Sequence, residues 1–155
     1  MKVLVIGSGG REHAICKKLA ESKLVKELYC APGNAGIKEC AILVPIGVME
    51  FEKIASFSKD NDINLVFVAP DNPLADGLVN FLEEKGINAF GPRKEAAIIE
   101  GSKAFSKAFM KRHNIPTALY EEFDSYENAK KYILKINKYP IVIKADGLAY
   151  GKGVI

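Results

Sequence analysis

Val3-Leu-Val-Ile-Gly-Ser-Gly-Gly-Arg-Glu-His13 joins four apolar, mostly β-branched residues to three glycines, and a helix-like segment follows at once. A continuous apolar run suits a strand buried on both faces, as in a parallel sheet. The glycines permit a tight turn and a close backbone approach by a ligand. The amides of the first helical turn then favour an anion. The stretch predicts an α/β domain that opens with a phosphate-binding turn.

The elements that follow extend this reading. A helix is expected over residues 11–22, and short strands at Leu28-Tyr-Cys30 and Ile42-Leu-Val44. A helix by period covers 50–59, and a second strong strand is Leu65-Val-Phe-Val-Ala69, stopped by Pro70-Asp-Asn-Pro73. Leu74, Leu78 and Leu82 recur at i, i+4 and i+8, predicting one amphipathic helix that ends at Gly86. Residues 87–90 make a fifth strand. Strands alternating with helices predict a five-stranded, parallel, doubly wound Rossmann-like sheet, with ligands at the carboxyl ends of its strands. The loops Gly7–Gly10, Pro32–Gly36, Pro70–Pro73 and Gly91–Arg93 all fall at such ends.

Beyond Gly91 the texture changes, and a domain boundary is expected within 93–101, giving domains 1–100 and 101–155. A helix over 102–113, a strand over 119–123 and a helix after Asp124 or Ser125 are predicted there. A strand at Pro140-Ile-Val-Ile-Lys144 leads into a glycine-rich loop, Gly147–Gly153, and a returning strand at Val154-Ile155.

Composition limits the alternatives. Of 155 residues 48% are apolar and 26% charged, with a net charge of +3, as expected of a globular protein that handles anionic small molecules. The lysines are scattered, so nucleic acid is not an expected partner. Cys16, Cys30 and Cys40 are odd in number and lack metal-ligand spacing, which favours buried reduced thiols. No segment approaches the ~18–20 apolar residues of a membrane span, and no leader pattern opens the chain. A cytoplasmic protein, with no membrane partner, is expected.

Each glycine cluster resembles a known fingerprint and departs from it. In GxGxxG, Gly7 and Gly9 fit but Glu12 stands in the third place, and the second strand lacks the acid that would hold a ribose. This argues against NAD. Arg11 and Glu12, beside the glycine turn, are candidate ligands; His13 is either a structural histidine or a base. Gly147-Leu-Ala-Tyr-Gly-Lys-Gly153 is one residue short of a P-loop, lacks its hydroxyl residue and precedes a strand. A hairpin loop with Lys152 at its tip and Lys144 at its base is expected, able to neutralise a triphosphate. Lys103 opposes the dipole of the helix it opens by a few tenths of a kcal/mol, roughly, which hints at use. Asp71 is either a turn residue or an acceptor for a sugar or an amine.

Taken together, the motifs carry a resemblance. Lys2-Val-Leu-Val-Ile-Gly-Ser-Gly-Gly-Arg-Glu-His-Ala14, Ala31-Pro-Gly-Asn-Ala-Gly36, Gly91-Pro92, Glu100-Gly-Ser-Lys-Ala-Phe-Ser-Lys107, Ile115-Pro-Thr117 and Ile141-Val-Ile-Lys-Ala-Asp-Gly-Leu-Ala-Tyr-Gly-Lys-Gly-Val154 run the length of the chain. In that order they resemble the phosphoribosylamine–glycine ligase family of ATP-grasp enzymes in purine biosynthesis. The resemblance implies a pre-ATP-grasp domain followed by the start of an ATP-grasp domain. It implies ligation of glycine to 5-phosphoribosylamine with ATP, through an acyl phosphate, giving glycinamide ribonucleotide, ADP and phosphate.

Carried over by position, Gly9, Gly10, Arg11, Glu12, Asn34, Gly36 and Asp71 would serve the substrate. Lys103, Lys144, Gly147, Gly151, Lys152 and Gly153 would serve ATP. The Mg2+ (or Mn2+) ligands and the adenine pocket would lie beyond Ile155, so neither a catalytic residue nor a metal ligand is expected within the chain. The chain alone is expected to be an inactive fragment, and monomeric. Two residues depart from the family pattern: Asp71 stands where glutamate is usual, and Tyr150 where alanine is usual. The rival readings are a phosphate- or nucleotide-binding module without catalysis, and a nicotinamide oxidoreductase.

Overall fold

The computed structural model describes residues 1–148 and 153–155. It forms two compact units, Met1–Ala97 and Ile98–Ile155. The first unit carries β1 (Lys2–Gly7), α1 (Gly10–Ala20), β2 (Glu27–Pro32), β3 (Ile42–Leu43), α2 (Phe51–Asp60), β4 (Leu65–Val68), α3 (Asp71–Ala75), α4 (Leu78–Glu84) and β5 (Ala89–Phe90). Its strands form one parallel sheet in the order β3-β2-β1-β4-β5. The order reverses at β1, so the crevice beyond the ends of β1 and β4 is the topological switch point.

The apolar run at the head of the chain is central because both its faces are covered. Leu4 and Ile6 are fully buried against a cluster that includes Ile54, Leu78 and Leu82. Val3 and Val5 point the other way, toward Cys16, Cys30 and Ile37. Full burial of such a side chain contributes about 1.5–3 kcal/mol, so β1 alone anchors two layers.

The single helix expected to carry Leu74, Leu78 and Leu82 and to end at Gly86 is two helices. Gly77 adopts φ 91° between α3 and α4, which breaks the ladder while Leu74, Leu78 and Leu82 all remain buried. Pro70–Pro73, expected to lie in a loop, instead opens α3, where Pro73 sits in the first turn and needs no N–H partner.

The expected boundary region is helical as well: α5 spans Lys94–Gly101, and the division between the units falls inside it. Ala97 buries against the first core, and Asn80 Oδ1 accepts from the Lys94 N–H at 2.9 Å.

The second unit contains α6 (Lys103–Arg112) and α7 (Tyr126–Ile136). Ser102 caps α6 by accepting from the Phe105 N–H, and Ser125 caps α7 by accepting from the Asn128 N–H. The strand expected over 119–123 does not form. No strand among the described residues pairs with it, and Leu119 is wholly exposed. The hairpin does form in outline, through the antiparallel Lys144–Val154 bridge and backbone bonds joining Ile143 with Ile155.

Candidate functional site

Glu12 explains the glycines around it. It sits in the first turn of α1, only 4% exposed, and its Oε2 accepts from the Gly9 N–H at 2.6 Å. This is half of a capping box, closed on the residue that starts the helix. A Cβ on Gly7 would lie 2.4 Å from Glu12 Cγ, and one on Gly9 would lie 2.8 Å from Oε2. Gly7 also has φ +129°, a region L-residues rarely enter. The residue that spoils the dinucleotide fingerprint is thus the strut under the turn. Its second oxygen, Oε1, is buried without a hydrogen-bond partner.

The β2 loop is stitched to this turn. Gly33 N–H donates to Gly7 O at 3.0 Å, and Cys30 Sγ approaches the same carbonyl at 3.3 Å. Asn34 uses both ends of its amide: Nδ2 donates to Ser8 O at 2.7 Å, and Oδ1 accepts from Ile37 N–H at 2.9 Å. Gly36 leaves room for the His13 ring, whose Cε1 would be 2.8 Å from a Cβ there. Beneath them Cys16 and Cys30 are fully buried, and all three cysteines are free thiols. The adjacent Cys16 and then burial push the Cys30 thiol well up, so it stays protonated and inert.

The β4 loop closes the other side. Pro70 Cγ lies 3.0 Å from where a Gly7 Cβ would be. Arg11 reaches across from α1 to the first residue of α3: Nη1 and Nη2 lie 3.4 Å from Asp71 Oδ1 and Oδ2. The Arg11 side chain is 68% exposed and that of Asp71 35%. Gly10 stands at the opening, with nothing within 4 Å of its Cβ position. The substrate-facing set expected from sequence is therefore gathered at one crevice of the first unit. Arg11 and Asp71 are partly exposed there and Gly10 has open space beside it, whereas Glu12, Asn34 and the Gly9 N–H are engaged in building the turn.

In the second unit Asp146 occupies the start of α6. Its Oδ1 accepts from Lys103 N–H at 2.7 Å and Ala104 N–H at 3.1 Å, and the Ser102 hydroxyl lies 3.1 Å from Oδ2. These bonds, the Ala104 amide foremost, hold the Asp146 carboxyl below the usual aspartate range. Lys103 Nζ turns to Gly147 O at 2.5 Å. The carboxylate offsets the unfavourable cation at this helix start.

Lys144 lies at the hairpin bridge with an exposed side chain, and it has no ion pair among the described residues. Gly147 has φ +84° and open space at its Cβ position. Gly153 O accepts from Ala145 N–H at 2.7 Å. Gly151 and Lys152, together with Tyr150, lie outside the described residues.

Lys144 is exposed near the Gly147 turn, and the Lys103 and Ala104 amides at the start of α6 are already taken by Asp146. Among the described residues no group of three or more His, Cys, Asp or Glu side chains is placed to hold a metal ion. No described helix is long and apolar enough to cross a membrane. Sequence reasoning passed over Gly7, Gly33 and Asp146 as site residues. The first two needed only a reading of which glycines the turn requires; Asp146 gave no local sign of the helix start it reaches.

The first unit is thus a parallel sheet with a glycine turn at its switch point, and the second carries a lysine- and glycine-containing hairpin. The comparisons make this specific. The N-domain model of the phosphoribosylglycinamide synthetase family matches residues 1–100, and that family's ATP-grasp (A) domain model matches residues 101–155. The chain belongs to this family.

It is 53% identical to the phosphoribosylamine–glycine ligase of Caldanaerobacter subterraneus subsp. tengcongensis, over 99% of this chain and 37% of that protein. The crystal structure of the Thermotoga maritima phosphoribosylamine–glycine ligase matches with a TM-score of 0.73 at 36% identity, over 100% of this chain and 35% of its own. The biotin carboxylase domain of Hydrogenobacter thermophilus 2-oxoglutarate carboxylase, in complex with MgADP, ADP and bicarbonate, matches at 0.74 and 24% identity. It covers 99% of this chain and 36% of its own, and shares the fold alone. The chain spans little more than a third of the relatives it matches.

Proposed function

We propose that this chain is the substrate-receiving and phosphate-receiving front of an ADP-forming ligase that joins glycine to 5-phosphoribosylamine. In this reading the crevice between β1 and β4 takes the sugar phosphate, with the Gly10 turn and Arg11 facing the anion. Asp71 faces the amine or a hydroxyl. Glu12, Asn34, Gly9 and Gly36 hold the wall in shape. Lys144 and the Gly147–Gly153 segment receive the ATP phosphates, and Lys103 steadies the base of that segment. Bound ATP with Mg2+ (or Mn2+) would supply the phosphoryl group that activates the glycine carboxylate. The protein residues act by positioning and by neutralising charge. The expected setting is cytoplasmic, with small molecules as the partners and a monomer as the working form.

The observation that carries this reading is the Glu12–Gly9 strut at the switch point, which shapes the turn for something other than a dinucleotide. Titration calorimetry of the chain with ribose 5-phosphate and, separately, with NADH tests it. Saturable binding of the sugar phosphate, with none of NADH, is expected. NADH binding without sugar-phosphate binding would overturn the reading.

A further inference from the structure

The N–H groups that open α6 are all engaged. Ser102 N–H donates to Ile98 O at 2.9 Å, and Phe105 N–H donates to Ser102 Oγ at 3.1 Å. Between them, Lys103 N–H and Ala104 N–H donate to Asp146 Oδ1 at 2.7 and 3.1 Å. The first amides of a helix have no partner within it, so Asp146 completes a cap that Ser102 alone leaves open. A cap from a residue so distant in sequence also ties two segments together. The tie is reciprocal, because Lys103 Nζ reaches back from the helix to Gly147 O at 2.5 Å, one residue past Asp146. Asp146 in turn follows Ala145, whose N–H donates to Gly153 O at 2.7 Å across the hairpin, and Lys144 pairs with Val154. The start of α6 thus grips the base of the hairpin at the strand that carries Lys144.

We propose that Asp146 is a positioning residue for the triphosphate: with Lys103 it latches the hairpin base to α6, and so fixes where Lys144 and the Gly147 turn stand when the phosphates arrive. Asp146 itself touches no phosphate. By charge alone a carboxylate two residues from Lys144 disfavours an anion, whereas its hydrogen bonds favour one by holding the lysine in place beforehand. The two effects have opposite signs, which makes them separable. This inference rests on the reading that Lys144 and the Gly147–Gly153 segment take the ATP phosphates, and it adds the residue that sets their geometry.

Inorganic tripolyphosphate is titrated into the 15N-labelled chain and its variants, following the amides of residues 103, 104 and 144–148. Asp146→Ala removes the acceptor and is expected to weaken binding about fivefold, the scale of coupling within one hydrogen-bonded network. Asp146→Asn keeps an oxygen for the two amides but drops the charge, and should bind within about twofold of the wild type. In a Lys103→Met background the latch is already broken, so Asp146→Ala should cost less than about twofold more. Unshifted amides in the first unit and in α7 show that each variant is folded. Asp146→Ser, with an oxygen too short to reach α6, replaces the alanine variant should that one not fold.

Tighter binding in both Asp146→Ala and Asp146→Asn would reduce Asp146 to a nearby charge and overturn the latch. Unchanged affinity in Asp146→Ala, with only its melting temperature lowered, would make Asp146 a helix cap alone and overturn it too. Losses that multiply in the double variant would do the same. In each of these cases the hairpin still receives the triphosphate. Failure of tripolyphosphate to bind the wild-type chain overturns the hairpin reading and the latch with it.

Discussion

Glu12 Oε2 accepts the Gly9 N–H at 2.6 Å from a side chain only 4% exposed, so the turn after β1 is built on a buried carboxylate. The bond to a charged acceptor should contribute to stability on the order of 1.5–3 kcal/mol, because its loss leaves an amide and a cavity behind. Glu12→Ala is expected to destabilise the first unit by that amount in urea unfolding. Glu12→Gln should cost less, since its amide oxygen still accepts from Gly9 while its NH2 lies where Oε1 lacked a partner. An alanine variant as stable as the wild type would contradict the strut.

The glycines of the same turn should differ sharply. Gly7→Ala places a Cβ 2.4 Å from Glu12 Cγ at φ +129°. The combined strain and overpacking should destabilise by on the order of 3 kcal/mol. Gly10→Ala meets open space in the first turn of α1 and should be neutral or stabilising by up to about 1 kcal/mol. Thermal unfolding of the two variants side by side measures the contrast. Equal effects would show that the turn does not depend on Glu12 filling the space beside Gly7.

Asp146 supplies a pH test in the second unit. Its carboxyl is held below the ordinary aspartate range by the Ala104 amide and its neighbours, so the folded form binds its proton less readily than the unfolded form. The stabilisation is therefore fully present above the unfolded value and is lost as pH falls through the lower, folded one. The Lys103 and Ala104 amide resonances should move with pH along a curve whose midpoint lies below the ordinary aspartate value. In Asp146→Asn that step should vanish and amide exchange at the start of α6 should quicken. A midpoint at or above the ordinary aspartate value would contradict the assignment.

Most of the first unit was legible because its signals are local. The apolar run at Val3–Ile6, the period of residues 50–59 and the glycines at strand ends each identify an element without reference to distant residues. The break at Gly77 was hidden because Leu74, Leu78 and Leu82 stay on one buried side even when the helix is cut, so periodicity does not register the interruption. The helix at 94–101 was read as a boundary for a different reason: its start depends on Asn80, fourteen residues earlier. At 119–123 apolar residues suggested a strand, yet a strand is defined by its pairing, and no described strand pairs with it.

In the first unit the sequence reading picks out loops that the structure brings together beside the turn after β1, but not the division of labour among them. Glu12 and Asn34 looked like ligands because polar residues beside glycines often are. The structure engages them in holding the turn, with Glu12 on Gly9 and Asn34 on Ser8 and Ile37. Asp146 was passed over because its partners, Lys103 and Ala104, lie more than forty residues away.

The central claim, that the crevice between β1 and β4 receives a sugar phosphate, is tested most directly by a crystal structure of the chain soaked with ribose 5-phosphate. The account predicts density for the sugar phosphate at the switch point, with its phosphate within hydrogen-bond reach of Arg11 and the Gly10 turn and the Arg11–Asp71 pair opened. Density confined to the Lys144 hairpin, or none at the carboxyl ends of β1 and β4 at saturating ligand, would contradict it.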